Sequence, residues 1–219
     1  MKEIEIIFKL LEKWHKFPKY QLERRLDIFF ALYLPEILKK VPNINIEVTH
    51  NDISPEFPLK KNNSCSSTNV DYAIFSNENG KIKLYLLELK TDMNSIDNEQ
   101  ITYYKKAKEK GFSQILTDII KVQRKSPQWK KYDNLLDYIE KNNYDIIRNT
   151  TSIGSQKRKN WEIVKENIIE EIEIIYLVPK EDERIRQYKI ITFENVINII
   201  KNNHDNISVE FCKILKELI

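Results

Sequence analysis

The stretch that most constrains the fold is residues 69–90, NVDYAIFSNENGKIKLYLLELK, which alternates as two strands around a short polar turn. Asn79-Gly80 between two such runs is the strongest short-range signal for a two-residue type I′ hairpin. Counting outward from that turn places Asp71 opposite Glu88. Directly opposed residues project to the same face, so the pattern predicts that Asp71, Glu88 and Lys90 cluster at one end of the hairpin.

Two carboxylates that face each other across a β-ladder repel, with Cβ atoms about 4.5–5.5 Å apart. A shared proton, a lysine or a divalent metal ion offsets such a repulsion. Lys90 is adjacent and serves as a counter-ion in the simplest interpretation, a charged cluster on an edge hairpin. A metal site is the other interpretation, and charge placement alone does not choose between them.

Composition removes several other chemistries. The chain has 219 residues, which favours one domain, and only three glycines, from which no phosphate-binding or dinucleotide fingerprint can be assembled. The three histidines have no HxxxH spacing and no neighbouring cysteine pair, which argues against zinc. A serine hydrolase is not expected, because no GxSxG motif is present.

The same data bear on location. The first residues, MKEIEIIFKLLEKW, are too charged for a signal peptide, and no run of about 18 apolar residues predicts a membrane span. Cys65 and Cys212 lie far apart and form no CxxC pair. We therefore expect a reduced, cytoplasmic protein with no membrane partner.

Hydrophobic periodicity predicts an α/β protein with a mixed sheet and flanking helices. The order of elements is helix, three strands, helix, a helical insertion, and then strands and short helices. The predicted helices are 19–40, 97–110 (closed by Gly111), 113–148, 159–170, 193–203 and 206–218. The predicted strands are 44–49, the two arms of the hairpin, 172–178 and 188–192, with a polar loop over 51–68.

Asp71, a hairpin turn and then Glu88-Leu89-Lys90 resemble the motif of the PD-(D/E)XK nuclease superfamily. The resemblance covers roughly residues 20–110, with a long helix before the hairpin and a helix after it. Asn69-Val70 stands where many members have a proline. The resemblance implies one restriction-endonuclease-like domain over 1–219, with a mixed β-sheet flanked by helices and a basic helical insertion at about 113–170.

The resemblance also implies a chemistry. In that superfamily the acidic residues hold Mg²⁺ (or Mn²⁺), so Asp71, Glu88 and the backbone carbonyl of Leu89 are the implied ligands. Lys90 is then implied to hold or polarise the attacking hydroxide. The implied activity is hydrolysis of phosphodiester bonds in nucleic acid, with DNA as the expected substrate.

Three further residues are candidates for the same site. Gln100 and Tyr104 fit the QhxxY pattern of the RecB-like exonuclease branch, but Asp97 and Gln100 also fit a helix-capping box, and Tyr104 fits plain packing. Glu23, on the first predicted helix, matches a glutamate that many members direct at the metal. A solvated charge paired with a neighbouring lysine or arginine explains Glu23 equally simply.

Positive charge is concentrated in one part of the chain. Residues 101–165 contain 15 Lys and Arg against 7 Asp and Glu, which gives +8, whereas the whole chain carries +3. Trp129, Tyr132 and Trp161 are interleaved with these charges and either pack or stack on bases. The candidate phosphate contacts are Lys125, Lys130, Lys131, Lys157, Arg158 and Lys159.

Two other functions fit the same residues. A catalytically inactive module on this fold would bind nucleic acid or protein without cleaving it. A structural α/β protein would use the acidic cluster only as a salt-bridge network. Metal-dependent cleavage separates the nuclease from the binding module, and affinity for nucleic acid separates both from the structural protein.

Overall fold

The computed structural model describes residues 2–60, 67–78, 81–142, 146–151, 158–164 and 171–219. Helices and strands come in blocks along the chain: two helices, three strands, three helices, four strands and two helices among the described residues. The helices are α1 Lys2–Trp14, α2 Glu23–Lys40, α3 Asn98–Lys110, α4 Phe112–Lys125, α5 Trp129–Lys141, α6 Phe193–Ile200 and α7 Asn206–Glu217. The strands are β1 Ile53–Lys60, β2 Ser67–Glu78, β3 Lys81–Leu89, β4 Ile147–Asn149, β5 Trp161–Ile163, β6 Ile172–Val178 and β7 Lys189–Thr192.

The protein is α/β, with a five-stranded mixed sheet of order β1-β2-β3-β6-β7 flanked by helices. β1, β2 and β3 pair antiparallel, and β6 and β7 pair parallel. The Leu84 N–H donates to the Glu171 carbonyl and the Lys90 N–H donates to the Leu177 carbonyl. Donor and acceptor advance in the same direction along the chain, so β3 and β6 run parallel. The predicted fold class is therefore confirmed at the level of a mixed α/β sheet.

Close backbone contacts group the chain into two compact units. The first unit consists of Met1–His50, Glu88–Ile101 and Ile174–Ile219. Its helices bury an aromatic cluster in which the rings of Phe8 and Phe29 lie 4.7 Å apart and those of Phe30 and Phe211 lie 4.9 Å apart. These rings exclude water from the interior of this unit and hold α1, α2 and α7 together.

The second unit consists of Asn51–Leu87 and Thr102–Glu173. Its core contains a row of three rings, with Phe57 6.3 Å from Phe75 and Phe75 5.8 Å from Phe112. α4 and α5 pack in this unit together with a separate two-stranded ladder, in which Asn149 faces Trp161.

The hairpin register is as predicted. Tyr72 faces Leu87 and Glu78 faces Lys81, which is the pairing that a two-residue turn produces. Asn79 and Gly80 themselves lie outside the described residues. The described pairs begin one residue after Asp71, so its position opposite Glu88 stays a prediction.

The predicted strand at 44–49 is wrong. Ile44 and Ile46 are buried, but Asn45 has a positive φ of 44° and the Ile46 N–H donates to the Leu38 carbonyl at the end of α2. The alternation therefore reflects alternating burial of an irregular segment. Asparagine tolerates the left-handed conformation better than most residues, which permits this path.

The first strand instead lies in the predicted polar loop, at Ile53–Lys60. Pro55 and Pro58 concealed it, because proline cannot donate to a ladder. β1 is the edge strand of the sheet, the position at which proline is tolerated. Burial of Phe57 and Leu59 holds it in place.

The remaining boundaries differ in smaller ways. The predicted helix 19–40 begins at Glu23, and Lys19 has a positive φ of 63°. The helical prediction over 113–148 is wrong at its end, where Ile147 and Arg148 belong to β4. The helix predicted at 159–170 is wrong over its first part, where β5 pairs with β4, and 165–170 lie outside the described residues. α1 was not predicted as a helix. The helix at 97–110 and the strands at 172–178 and 188–192 are confirmed.

Two further expectations can be compared with the structure. Among the described residues, no helix is both long enough and apolar enough to cross a membrane. Cys212 is a buried free thiol on α7, and Cys65 is not among the described residues. The expectation of one domain over 1–219 stays a prediction.

Candidate active site

Glu88 and Lys90 lie at the C-terminal end of β3, where their side chains share one face because they are two residues apart on a strand. Both are buried, with exposed fractions of 2% for Glu88 and 7% for Lys90. The Lys90 ammonium donates to Oε1 of Glu88 across 2.6 Å. A buried and directly bonded charge pair is uncommon, because both ions lose their hydration.

Gln100 joins this pair from the first turns of α3. Its Nε2 donates to the same Oε1 of Glu88 at 2.5 Å. Asp97 accepts the Glu99 N–H at 2.9 Å and so caps the helix. The sequence allowed Gln100 to complete a capping box, to reach the candidate site, or to do both, and its amide does reach Glu88.

Glu23 is the fourth residue of the cluster and the first residue of α2. Burial raises the pKa of its carboxyl above the ordinary value, and the negative charge of Glu88 acts in the same direction. The positive charge of Lys90 and a hydrogen bond from the Thr91 N–H partly offset that increase. Glu23 is therefore half-buried and lies within electrostatic reach of both members of the β3 pair.

The other predicted site residues have the following positions. Asp71 is half-buried on β2, and the described register stops one residue short of it. Leu89 is buried on β3, between the two charged residues. Tyr104 is fully buried on α3, which is consistent with a packing role and does not separate that role from a catalytic one.

The donor atoms fit a hard divalent cation. Glu88 supplies a buried carboxylate, and the charge of Glu23 interacts with both Glu88 and Lys90. Mg²⁺ commonly uses one or two carboxylates and completes its shell with water and phosphate oxygens. No group of three or more His, Cys, Asp or Glu side chains suited to a metal occurs within the described ranges, so a site here would depend on such additional ligands.

The connection between Lys90 and Gln100 is held by an arginine that sequence analysis missed. Arg184 donates from Nη1 to the Ile96 carbonyl at 3.0 Å and from Nη2 to the Met93 carbonyl at 2.9 Å. Asp182 accepts from Nε and Nη2 of the same guanidinium, and these bonds lower the pKa of Asp182 to about 2. We call this pair the Asp182–Arg184 clamp. Only its D-x-R spacing was visible in the sequence.

A cleft of about 730 Å³ opens beside this cluster in the first unit. Glu23 and Thr91 line it, and Thr91 follows Lys90 directly in the chain. The rest of the wall comes from residues 20–24, 91–95, 179–180 and 218–219 together with His15. Glu23 is therefore the candidate group that lines the cleft, and Lys90 adjoins it through Thr91.

The predicted nucleic-acid-binding residues have two kinds of environment. Lys125, Lys130 and Lys131 are exposed on α4 and α5, as phosphate contacts need to be. Arg158 donates to the carbonyls of Arg124 and Ser126 and so caps the end of α4. Lys157 lies outside the described residues.

Lys159 and Trp161 are engaged within the second unit. The Lys159 ammonium lies 2.5 and 2.6 Å from the two carboxylate oxygens of Asp137. Trp161 is buried and donates from its indole to Asp133 at 2.9 Å, and Asp133 also accepts from Gln123. Trp161 therefore packs, whereas Trp129 and Tyr132 are only half-buried.

Comparison with known proteins adds no relative: neither a family model, nor a curated protein, nor a solved structure matches this chain significantly. Functional inference therefore depends on the geometry of Glu23, Glu88, Lys90 and Gln100.

Proposed function

We propose that this chain is a Mg²⁺- or Mn²⁺-dependent nuclease that hydrolyses phosphodiester bonds of nucleic acid, with DNA as the expected substrate. The observation that carries the proposal is the buried Glu88–Lys90 pair at the end of β3, with Gln100 bonded to the same carboxylate oxygen. The E-x-K spacing and the mixed sheet support the finer assignment to a restriction-endonuclease-like core.

Energetics favour a functional role for the pair. A protein in which apolar residues of similar volume replace a buried ion pair is often as stable as the original, or more stable. Two ionised side chains buried beside a polar cleft therefore suggest a task other than stabilisation. A perturbed carboxyl at Glu23 in the same cluster points in the same direction.

Each residue has a role in the proposed reaction. Asp71, Glu88 and the Leu89 carbonyl are the proposed metal ligands, with Asp71 assigned by continuing the hairpin register. When bound, the metal lowers the pKa of a water molecule and stabilises negative charge at phosphorus. Lys90 orients the attacking water and offsets negative charge, while Gln100 and Glu23 hold Glu88 and Lys90 in position. Tyr104 is the proposed supporting residue on α3.

The test combines cleavage and metal binding. Linear, circular and single-stranded DNA are incubated with the protein with and without Mg²⁺, and Mn²⁺ binding is measured separately by electron paramagnetic resonance. Glu88→Gln and Asp71→Asn should each abolish cleavage and weaken Mn²⁺ binding. Glu99→Gln, an exposed carboxylate on α3, is the matched control and should change neither.

The outcomes separate the alternatives. Nucleic-acid binding without any metal-dependent cleavage would identify an inactive binding module. Cleavage that persists in Glu88→Gln would contradict the assignment of the active site. Absence of both binding and cleavage would leave the buried pair as a structural salt bridge.

A further inference from the structure

The cleft beside Glu23 offers a mixed set of contacts. Arg24 and Lys180 supply two exposed cations, and Gln21 and Asn94 add amide groups. Tyr20 supplies a half-buried aromatic ring whose centroid lies 6.3 Å from that of Trp14. Cations, amides and an aromatic ring together match the phosphate, the base edges and the base face of a nucleotide.

Charge in the cleft is nearly balanced. Arg24 and Lys180 are offset by Glu23 and Asp92, and Asp92 already accepts the Asn94 N–H at 2.9 Å. A ligand held by many phosphate contacts would need a stronger excess of cations. Stacking and hydrogen bonds are therefore expected to supply a large share of its affinity.

The wall of the cleft is preformed. The Asp182–Arg184 clamp bonds to the carbonyls of Met93 and Ile96 and so holds the 91–95 segment from behind. Ser95 adds a hydrogen bond to the Asp92 carbonyl at 2.5 Å. A wall that is already ordered does not lose conformational freedom when a ligand binds, which favours affinity.

Size limits what can enter. At about 730 Å³ the cleft falls within the range of roughly 300–1,000 Å³ that encloses a single small ligand. A duplex, with a major groove alone about 12 Å wide, cannot be enclosed in such a space. One or two unpaired nucleotides are of the right size.

We propose that this cleft binds a single-stranded segment of nucleic acid and presents its backbone to Glu88 and Lys90. The role assigned to the cleft rests on the proposed nuclease function, whereas the binding experiment that tests it does not require cleavage. Arg24 and Lys180 contact phosphates, and Tyr20 stacks on a base. The preferred substrate is accordingly a single strand, or a duplex end with an unpaired overhang.

Binding is measured by fluorescence anisotropy in EDTA, with a short oligothymidylate and with a closed hairpin duplex as probes. The oligothymidylate should bind more tightly than the duplex. Changing Arg24→Gln and Lys180→Gln together should reduce the slope of log K against log salt by about 1.4, which is 0.7 for each phosphate contact on a single strand. Tyr20→Leu should weaken binding about fivefold or more without changing the slope.

Arg25→Gln is the matched control, because Arg25 is the exposed neighbour of Arg24 on α2 and does not line the cleft. It should leave both affinity and slope unchanged. Equal effects of Arg24→Gln and Arg25→Gln, or tighter binding of the closed duplex, would overturn the inference. The binding assay contains no metal, so it does not depend on cleavage. If the cleft variants lose binding as expected but the protein does not cleave DNA, only the nuclease proposal is contradicted. If the protein cleaves DNA but the cleft variants bind as tightly as the unchanged protein, only the proposal for the cleft is contradicted.

Discussion

The Lys90 ammonium donates to Glu88 Oε1 at 2.6 Å, and both side chains are almost completely buried at the end of β3. From two opposed carboxylates alone, Glu88→Gln would be expected to relieve repulsion and stabilise the fold. The direct ion pair reverses that expectation, because removing Glu88 leaves the buried lysine charge with less compensation.

Glu88→Gln should therefore lower the free energy of unfolding of the metal-free protein by about 3–5 kcal/mol. Lys90→Met should lower it at least as much, because the carboxylates of Glu88 and Glu23 then lose their lysine partner. Urea unfolding curves measure both. Lys83→Met is the control on the same strand, since Lys83 pairs with Glu78 in a partly exposed position. Its cost should stay within about 1 kcal/mol.

Glu23→Gln should stabilise the metal-free protein at neutral pH. The pKa of Glu23 is raised in the folded state, so its ionisation favours unfolding. The loss of stability caused by Glu23 develops as the pH rises above the ordinary pKa of a glutamate. It is absent below about pH 4, where the carboxyl is protonated in both the folded and the unfolded state. Melting curves should show a gain of about 1–3 °C near neutral pH that disappears in acid. A gain that is independent of pH would contradict the electrostatic explanation.

Gln100→Ala should reduce metal affinity and cleavage by about ten- to hundredfold, as loss of a group that orients a ligand commonly does. Its amide bonds to the Glu88 carboxylate, so the effect should be on catalysis more than on folding. Asp97→Ala is the comparison on the same helix. It removes the cap and should cost about 1 kcal/mol of stability while cleavage stays close to normal.

Lys130→Gln with Lys131→Gln tests the basic insertion. Both lysines are exposed, and removing each should reduce the slope of log K against log salt by about 0.9 if it contacts a duplex phosphate. Salt titrations of binding to a DNA duplex provide the measurement. An unchanged slope would show that this face is only solvated.

Lys159→Gln provides the contrast within the same insertion. Its ammonium is bonded to Asp137, so the change should lower thermal stability and leave the salt dependence of binding nearly unaltered. A reduced salt slope in Lys159→Gln would show instead that the lysine leaves Asp137 to contact a phosphate.

The hairpin register and the strands at 172–178 and 188–192 could be predicted, and the failures have physical reasons. Asn-Gly turns and alternating apolar residues act locally, so the register from Tyr72 to Glu78 followed from the sequence. The strand at 53–60 was missed because only its place at the sheet edge makes two prolines acceptable. Trp161 was equally ambiguous, since its burial depends on Asp133, which lies far away in sequence.

By itself the sequence determined the α/β class, the hairpin and the shared face of Glu88 and Lys90, because hydrophobic periodicity, the turn and strand alternation each depend on neighbours a few residues apart. Tertiary structure decided that Gln100 bonds to Glu88, that Glu23 responds to both members of the pair, and that Arg184 holds the connection between Lys90 and Gln100. These contacts join residues from α2, β3, α3 and the segment before β7. Burial, which makes their charges interact strongly, exists only once those segments have packed together.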